Sequence, residues 1–299
     1  MGGEESRNKK VLRDVLIRWF NVSVSRRAAY RALKQFLGPH GGHHRLLVVV
    51  EDVLASSRLV DEEGTWSCVT VLDEPGPIAR CLFGQELTSM NEGRFPHLDG
   101  QFDEVILDHS LEHFEDDGVL IGECHRVLKE QGRLIILTRA DRNWSLIGPI
   151  RALMGLRRPG RERAGRGYTE SHVFEAVKDG FNAEQVSSWS RFFVELVEIF
   201  IQVAVVLSGA GRAPSSGQVG DADRTLVMYR KVARIHAWFY PLALMGALLD
   251  KALILVRGHS LGVVARRRAW KPRVTPTLVD GRSIADATIN TKIGSAGPF

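Results

Sequence analysis

A chain of 299 residues with 44% apolar and 25% charged residues has an ordinary globular balance, long enough for one large domain with an appendage. Its three cysteines, Cys68, Cys81 and Cys124, are far apart and form no C-x-x-C pair, which argues against a zinc ribbon or a disulfide framework and fits a reduced, cytoplasmic setting. The net charge of +5 is uneven: eight Arg face Asp141 and Glu162 between Arg139 and Arg166, and eleven Lys or Arg face Asp250 alone between Arg224 and Arg273. Such asymmetry points the rear half toward an anionic partner: lipid headgroups, a phosphorylated substrate or nucleic acid.

The opening "MGGEESRNKKVLRDVL" is polar and mixed in charge, without the apolar core and cleavage site of a secretory signal. Residues 9–37 place apolar side chains at helical spacing, and "GPHGGHH" (38–44) breaks the pattern as a solvated loop. Short β-branched runs follow. "RLLVVV" (45–50), "SCVTVLDE" (67–74), "IARCLFG" (78–84) and "FDEVILDH" (102–109) read as the first four strands. "GVLIGECHRVLKEQG" (118–132) is helical with a glycine at its stop, and "RLIILTRA" (133–140) is the fifth strand. "GYTESHVFEAVKDGF" (167–181) is a helix with Thr169 as N-cap and Gly180 at its stop. "NAEQVSSWS" (182–190) and "HSLGVVARRR" (259–268) supply the sixth and seventh strands.

Strands alternating with helices mean an α/β fold: a doubly wound, mostly parallel sheet with both faces covered. Ligands of such sheets lie outside the carboxyl ends of the strands, at the switch in strand order. "DHSLEH" (108–113) stands at that edge. Its His109, Glu112 and His113 also have the H-x-x-E-H spacing of an inverted zinc-peptidase motif. That motif needs one helix to bring both histidines to one face. Here His109 closes a strand, so no metal site is assigned.

The run "FPHLDGQFDEVILDHSLEHFEDDGVLIGECHRVLKEQGRLIILT" resembles class I S-adenosylmethionine-dependent methyltransferases of the type 11 group. The family pattern is an L-P-F-x-D element, a strand, H-x-L-E-H, and a helix ending R-V-L-K-P-G-G. Pro96, Asp99, Phe102, Asp103, His109, Leu111, Glu112, His113, Arg126, Val127, Leu128, Lys129 and Gly132 hold matching positions. The resemblance spans about residues 40–190 and implies a Rossmann-like seven-stranded sheet, S-adenosylmethionine as cofactor, and methyl transfer. It places Asp108 and His109 on the cofactor-facing edge. Asp73, at the end of the second strand, takes the position of the acid that pairs with the ribose hydroxyls. Asn91 and Glu92 lie near the adenine side.

One element departs from the pattern. After its first strand the family has a glycine-rich turn, where the backbone approaches the cofactor closely. Here the sequence is "LLVVVEDVLASS", with Val50, Asp52 and Leu54 in place of the three glycines. Glu51 or Asp52 is left to hold the cofactor's amino group. A second reading follows: a non-catalytic methyltransferase-like protein that has lost the cofactor and acts as a partner or scaffold. Methyl transfer depends more on orientation than on a fixed side-chain set. Where an acceptor hydroxyl needs a general base, His109, His113 and His172 are the candidates.

The chain divides into an N-terminal helical segment (1–37), a methyltransferase-like domain (38–268) and an extended tail (269–299). Within the domain, 191–258 is an apolar and basic helical insertion. "RFFVELVEIFIQVAVVLSG" (191–209) and "AWFYPLALMGALLDKALILVRG" (237–258) are amphipathic rather than clean spans. Either they cap the sheet or form a dimer face, or they meet a membrane in plane. With "ARRRAWKPR" (265–273), residues 191–273 suit an anionic membrane surface and a small or lipid-linked acceptor. Nucleic acid has no recognised binding module here.

Overall fold

In the computed structural model the described residues are 2–38, 43–50, 54–72, 77–83, 87–91, 93–114, 116–140, 150, 153–154, 167–189, 192–210, 222–252 and 258–270. Two helices open the chain, α1 (Gly2–Val22) and α2 (Val24–Phe36), separated by Ser23 in an extended conformation. The sheet strands are β1 (His44–Val49), β2 (Thr65–Thr70), β3 (Leu87–Ser89), β4 (Phe102–Asp108), β5 (Leu128–Arg139), β6 (Phe181–Trp189) and β7 (Ser260–Arg267). Between them lie α3 (Pro77–Phe83), α4 (Asp117–Val127), α5 (Glu170–Val177), α6 (Phe192–Leu207) and α7 (Ala222–Ala252).

The strand order is β3-β2-β1-β4-β5-β7-β6. All neighbours are parallel except that β7 runs antiparallel to both β5 and β6. This is a Rossmann-like, doubly wound sheet, with α6 and α7 inserted before the last strand. The order turns back at β1 and β4, so the crevice expected for a ligand opens beyond Val49 and Asp108.

Sequence and structure differ at residues 78–84. Residues 78–83 lie in α3, not a strand, Gly84 lies outside the described residues, and the third strand is the short Leu87–Ser89. Pro77 at the first helical position presets the turn, and parallel neighbours need a crossover between them. β2 also ends at Thr70, short of Asp73. α4 ends at Val127, so Gly132 is not its stop. A Cβ on Gly132 would lie 2.9 Å from the Lys129 carbonyl and 3.1 Å from that of Asp103, which explains a glycine there. Thr169 caps α5 as expected, its hydroxyl accepting from the His172 N–H at 3.2 Å.

Alternation along the strands splits the core into two faces. Leu46, Val48, Val105, Leu107, Leu134 and Ile136 pack with α4 and α5 residues such as Leu120, Cys124 and Val173. Leu47, Val49, Ile106, Ile135 and Leu137 face Leu33 and Phe36 of α2 and Ala79 and Phe83 of α3. A third cluster joins Val15, Leu16 and Trp19 of α1 to Tyr229 and Val232 of α7.

Candidate functional site at the carboxyl edge

β4 delivers Asp108 to the crevice, where its side chain is almost wholly buried. The next residue, His109, adopts a left-handed backbone (φ 56°) while its N–H still bonds the Leu137 carbonyl at 3.0 Å. The chain thus leaves the sheet abruptly but stays registered to β5. Ser110, fully buried, donates its hydroxyl to the Val48 carbonyl at 3.0 Å and fastens the turn to β1 across the switch point. Leu111–His113 make one 3-10 turn.

Glu112 binds this turn to β5. Its Oε1 meets His109 Nδ1 at 3.0 Å and accepts from the Arg139 N–H at 2.9 Å and the Thr138 hydroxyl at 3.2 Å. Arg139 Nη1 stands 3.9 Å from the other carboxylate oxygen. Burial alone would raise this carboxyl. The bond to His109, the His109 and Arg139 charges and the Arg139 N–H outweigh it and hold the group at about 2. For His109 burial works against the charged form, but the bond to Glu112 and the charges of Asp108 and Glu112 raise it overall. Asp108 Oδ1 is 4.0 Å from His109 Nε2, so the imidazole sits between two carboxylates with 31% of its side chain exposed. An imidazole in this setting keeps one orientation, and its surroundings favour its charged form.

The H-x-x-E-H spacing therefore makes no helical metal face: the His and Glu bond each other across a strand-to-turn junction. Among the described residues no group of three His, Cys, Asp or Glu side chains could hold a metal ion. His113 closes the 3-10 turn, partly buried. His172 lies exposed in the first turn of α5. Asn91 is exposed after β3, in a tight turn paired with Arg94 at 3.0 and 2.8 Å. Glu51, Asp52, Asp73 and Glu92 lie outside the described residues.

Sequence reasoning passed over four neighbours that complete the edge: Ser110, Thr138, Arg139 and Tyr168. Tyr168 continues the edge beside Ala140, its N–H bonding the Arg139 carbonyl at 2.7 Å. Its hydroxyl reaches the Leu111 carbonyl at 3.1 Å and Asp117 Oδ1 at 2.7 Å. These contacts join residues distant in sequence, so no local pattern announces them.

The residues fit S-adenosylmethionine on one side of the crevice. The β4 side offers a buried carboxylate and an imidazole held by Glu112 at the switch point. On the β1 side no glycine occurs between Gly42 and Gly64, and Val50, Leu54 and Ala55 are buried. Leu54 is packed among Val15, Leu16 and Trp19 of α1. A separate cavity of about 580 Å³, lined by Asp99, His125, Arg126, Arg267 and Trp270, lies at the opposite, amino edge of β4 and does not belong to this site.

The family model described as a methyltransferase domain matches residues 74–136, the stretch that builds α3, β3, β4, α4 and most of β5. A comparison with curated proteins finds no match. Solved structures of similar shape include an S-adenosylmethionine-dependent methyltransferase from Thermotoga maritima, with TM-score 0.49 and 14% identity over 84% of this chain and 94% of that one. The YcgJ protein from Bacillus subtilis has TM-score 0.49 and 12% identity over 81% and 99%. Geranyl diphosphate C-methyltransferase from Streptomyces coelicolor, solved with S-adenosylhomocysteine, has TM-score 0.47 and 12% identity over 81% and 79%.

Proposed function

We propose that this chain, with its type 11 methyltransferase segment on a class I sheet, is an S-adenosylmethionine-dependent methyltransferase acting on a small or lipid-linked acceptor. The observation that carries the reading is the intact edge of β4. Asp108 and His109 emerge at the switch between β1 and β4, and Glu112, Ser110 and Tyr168 fix the turn that presents them. Asp108 and His109, with Asp73 and Asn91 by family position, are the residues that would hold the cofactor. When bound, it supplies a methyl group on a sulfonium centre.

The chain's own contribution is orientation. Glu112 spends its hydrogen bonds on His109 and the β5 backbone, so the imidazole keeps one direction. Such fixed placement favours in-line transfer without an added acid or base. His109, held between two carboxylates that favour its charged form, serves as a donor to a polar atom. His113 or His172 is then the better base for an acceptor hydroxyl.

One observation favours the second reading, a partner or scaffold protein without cofactor. Leu54, at the place of a family glycine, is part of a core shared with α1. Calorimetric titration with S-adenosylmethionine and S-adenosylhomocysteine separates the two. Micromolar binding, weakened at least about tenfold by Asp73→Ala or Asp108→Asn, supports the enzyme. No binding up to millimolar ligand by a cooperatively folded protein removes the enzyme reading and leaves the scaffold.

A further inference from the structure

Helix α7 changes character along one stripe. Arg230, Lys231 and Arg234 are exposed on its outer side; from Ala237 the same side carries Trp238, Leu242, Leu244, Met245, Leu248 and Leu249, all exposed. Trp238 is 79% exposed, Leu248 64% and Met245 52%. The inner stripe is Thr225, Leu226, Tyr229, Val232, His236, Ala243 and Asp250, all buried. The spacing of three and four residues on each side is that of a helix with two defined faces. On a helix at a soluble surface the outward positions are polar along its length, and a contiguous exposed apolar patch marks a contact site.

The charge on that face is all of one sign. Asp250 is the lone acid from Thr225 to Ala252, and it points inward. Its two oxygens accept the N–H groups of Phe193 (2.8 Å) and Val194 (3.2 Å) at the start of α6. From Arg230 onward the outer stripe therefore runs from three bases to an indole and then to aliphatic side chains. That is the order of phosphate, interface and acyl layers met on entering a bilayer.

We infer that the outer face of α7, from Arg230 to Leu249, docks on an anionic lipid bilayer, its apolar half in the acyl boundary and Trp238 at headgroup depth. The helix is long and apolar enough to cross a membrane. Length along the stripe decides against a span: 13 residues from Ala237 to Leu249 rise about 20 Å, short of the ~30 Å hydrocarbon core. The inner stripe also remains committed to protein. His236 packs edge-on against Trp19 and stands 3.8 Å from Glu198, and Arg27 bonds the Tyr240 hydroxyl at 2.8 Å. One leaflet suffices.

Position adds weight. α6 begins three residues after β6 ends at Trp189, and β7 begins at Ser260, opposite both Trp189 and Arg139. The apolar half of α7 is thus rooted at the carboxyl edge that presents His109. The Arg266–Arg268 run lies at the other end of β7, about 20 Å away along the strand, and forms no part of this face.

Flotation with vesicles containing phosphatidylserine, against pure phosphatidylcholine, tests the proposal on the full chain. The expected result is flotation with anionic vesicles at low salt, weakened by about fivefold for each base removed in Arg230→Gln, Lys231→Gln and Arg234→Gln. Met245→Glu with Leu248→Glu should reduce flotation more than tenfold while leaving the circular dichroism melt unchanged, since both side chains are exposed. Wild type that stays unbound, or a Met245→Glu/Leu248→Glu variant that floats as wild type does, overturns it. So does a dimer in sedimentation that the same variant dissolves without any vesicle binding by wild type; the face then belongs to a second copy. Calorimetry with S-adenosylmethionine is independent of every arm.

Discussion

Arg45 and Glu104 form a buried ion pair, Nε to Oε2 at 2.7 Å, with no side-chain surface of Arg45 and 1% of Glu104 exposed. The pair joins β1 to β4 at the amino edge, opposite the candidate site. Arg133 of β5 bonds the same carboxylate, and the Gly38 N–H donates to it at 2.8 Å. Arg133 also reaches the Phe36 carbonyl at 2.9 Å, fixing the end of α2. β4 is therefore pinned at both ends by a carboxylate: Glu104 below and Glu112 beyond its top.

Glu104→Gln should destabilise the protein by about 3–5 kcal/mol, because it leaves two guanidinium groups facing a neutral amide in a buried site. Urea denaturation reads this as a lower midpoint at unchanged slope. A loss under about 1 kcal/mol would mean that water reaches the network.

The Glu112–His109 pair predicts a pH window. Glu112, at about 2 in the folded chain against 4.5 unfolded, stabilises fully above pH 4.5 and progressively less as pH falls toward 2. His109, raised above 6.5, stabilises fully below pH 6.5 and loses this as pH rises through its folded value. The pair thus contributes most between 4.5 and 6.5, with the Glu112 part on the order of 3 kcal/mol. Glu112→Gln should lower stability by about 2–3 kcal/mol at pH 6 and by almost nothing near pH 2. Equal losses at both pH values would refute an ionic role.

Leu54→Ala should cost about 2–5 kcal/mol, the range for truncating a buried leucine. The thermal midpoint reports it. A near-neutral result would show that the loop after β1 is free to open toward a cofactor, which strengthens the enzyme reading.

Asp250→Ala should cost about 1–2 kcal/mol, because it strips both capping bonds from the start of α6 and a negative charge from a helix N-terminus. Hydrogen exchange should quicken first at Phe193 and Val194. Protection unchanged at those amides would count against the cap.

How much was legible follows the range of the forces. β1 and β4 were readable as short apolar runs, and α5 from its cap. The helix at 77–83 was misread because Ile78, Leu82 and Phe83 fit either period in so short a window, and only the need for a crossover to β3 decides it. Asp108 and His109 were placed by the strand end and the family pattern. Their partners were not, since Thr138, Arg139 and Tyr168 arrive from other strands and loops.

The sequence by itself determined the alternation of elements, the departure from glycine after β1 and the sign of the rear half's charge, because these depend on local pattern and composition. The tertiary structure alone decided that His109 and Glu112 face each other, since strand exit and β5 register set that distance. It alone also decided that Asp250 turns inward. Packing against the start of α6 satisfies that carboxylate, and the outer face of α7 is left basic from Arg230 to Arg234 and apolar from Trp238 to Leu249.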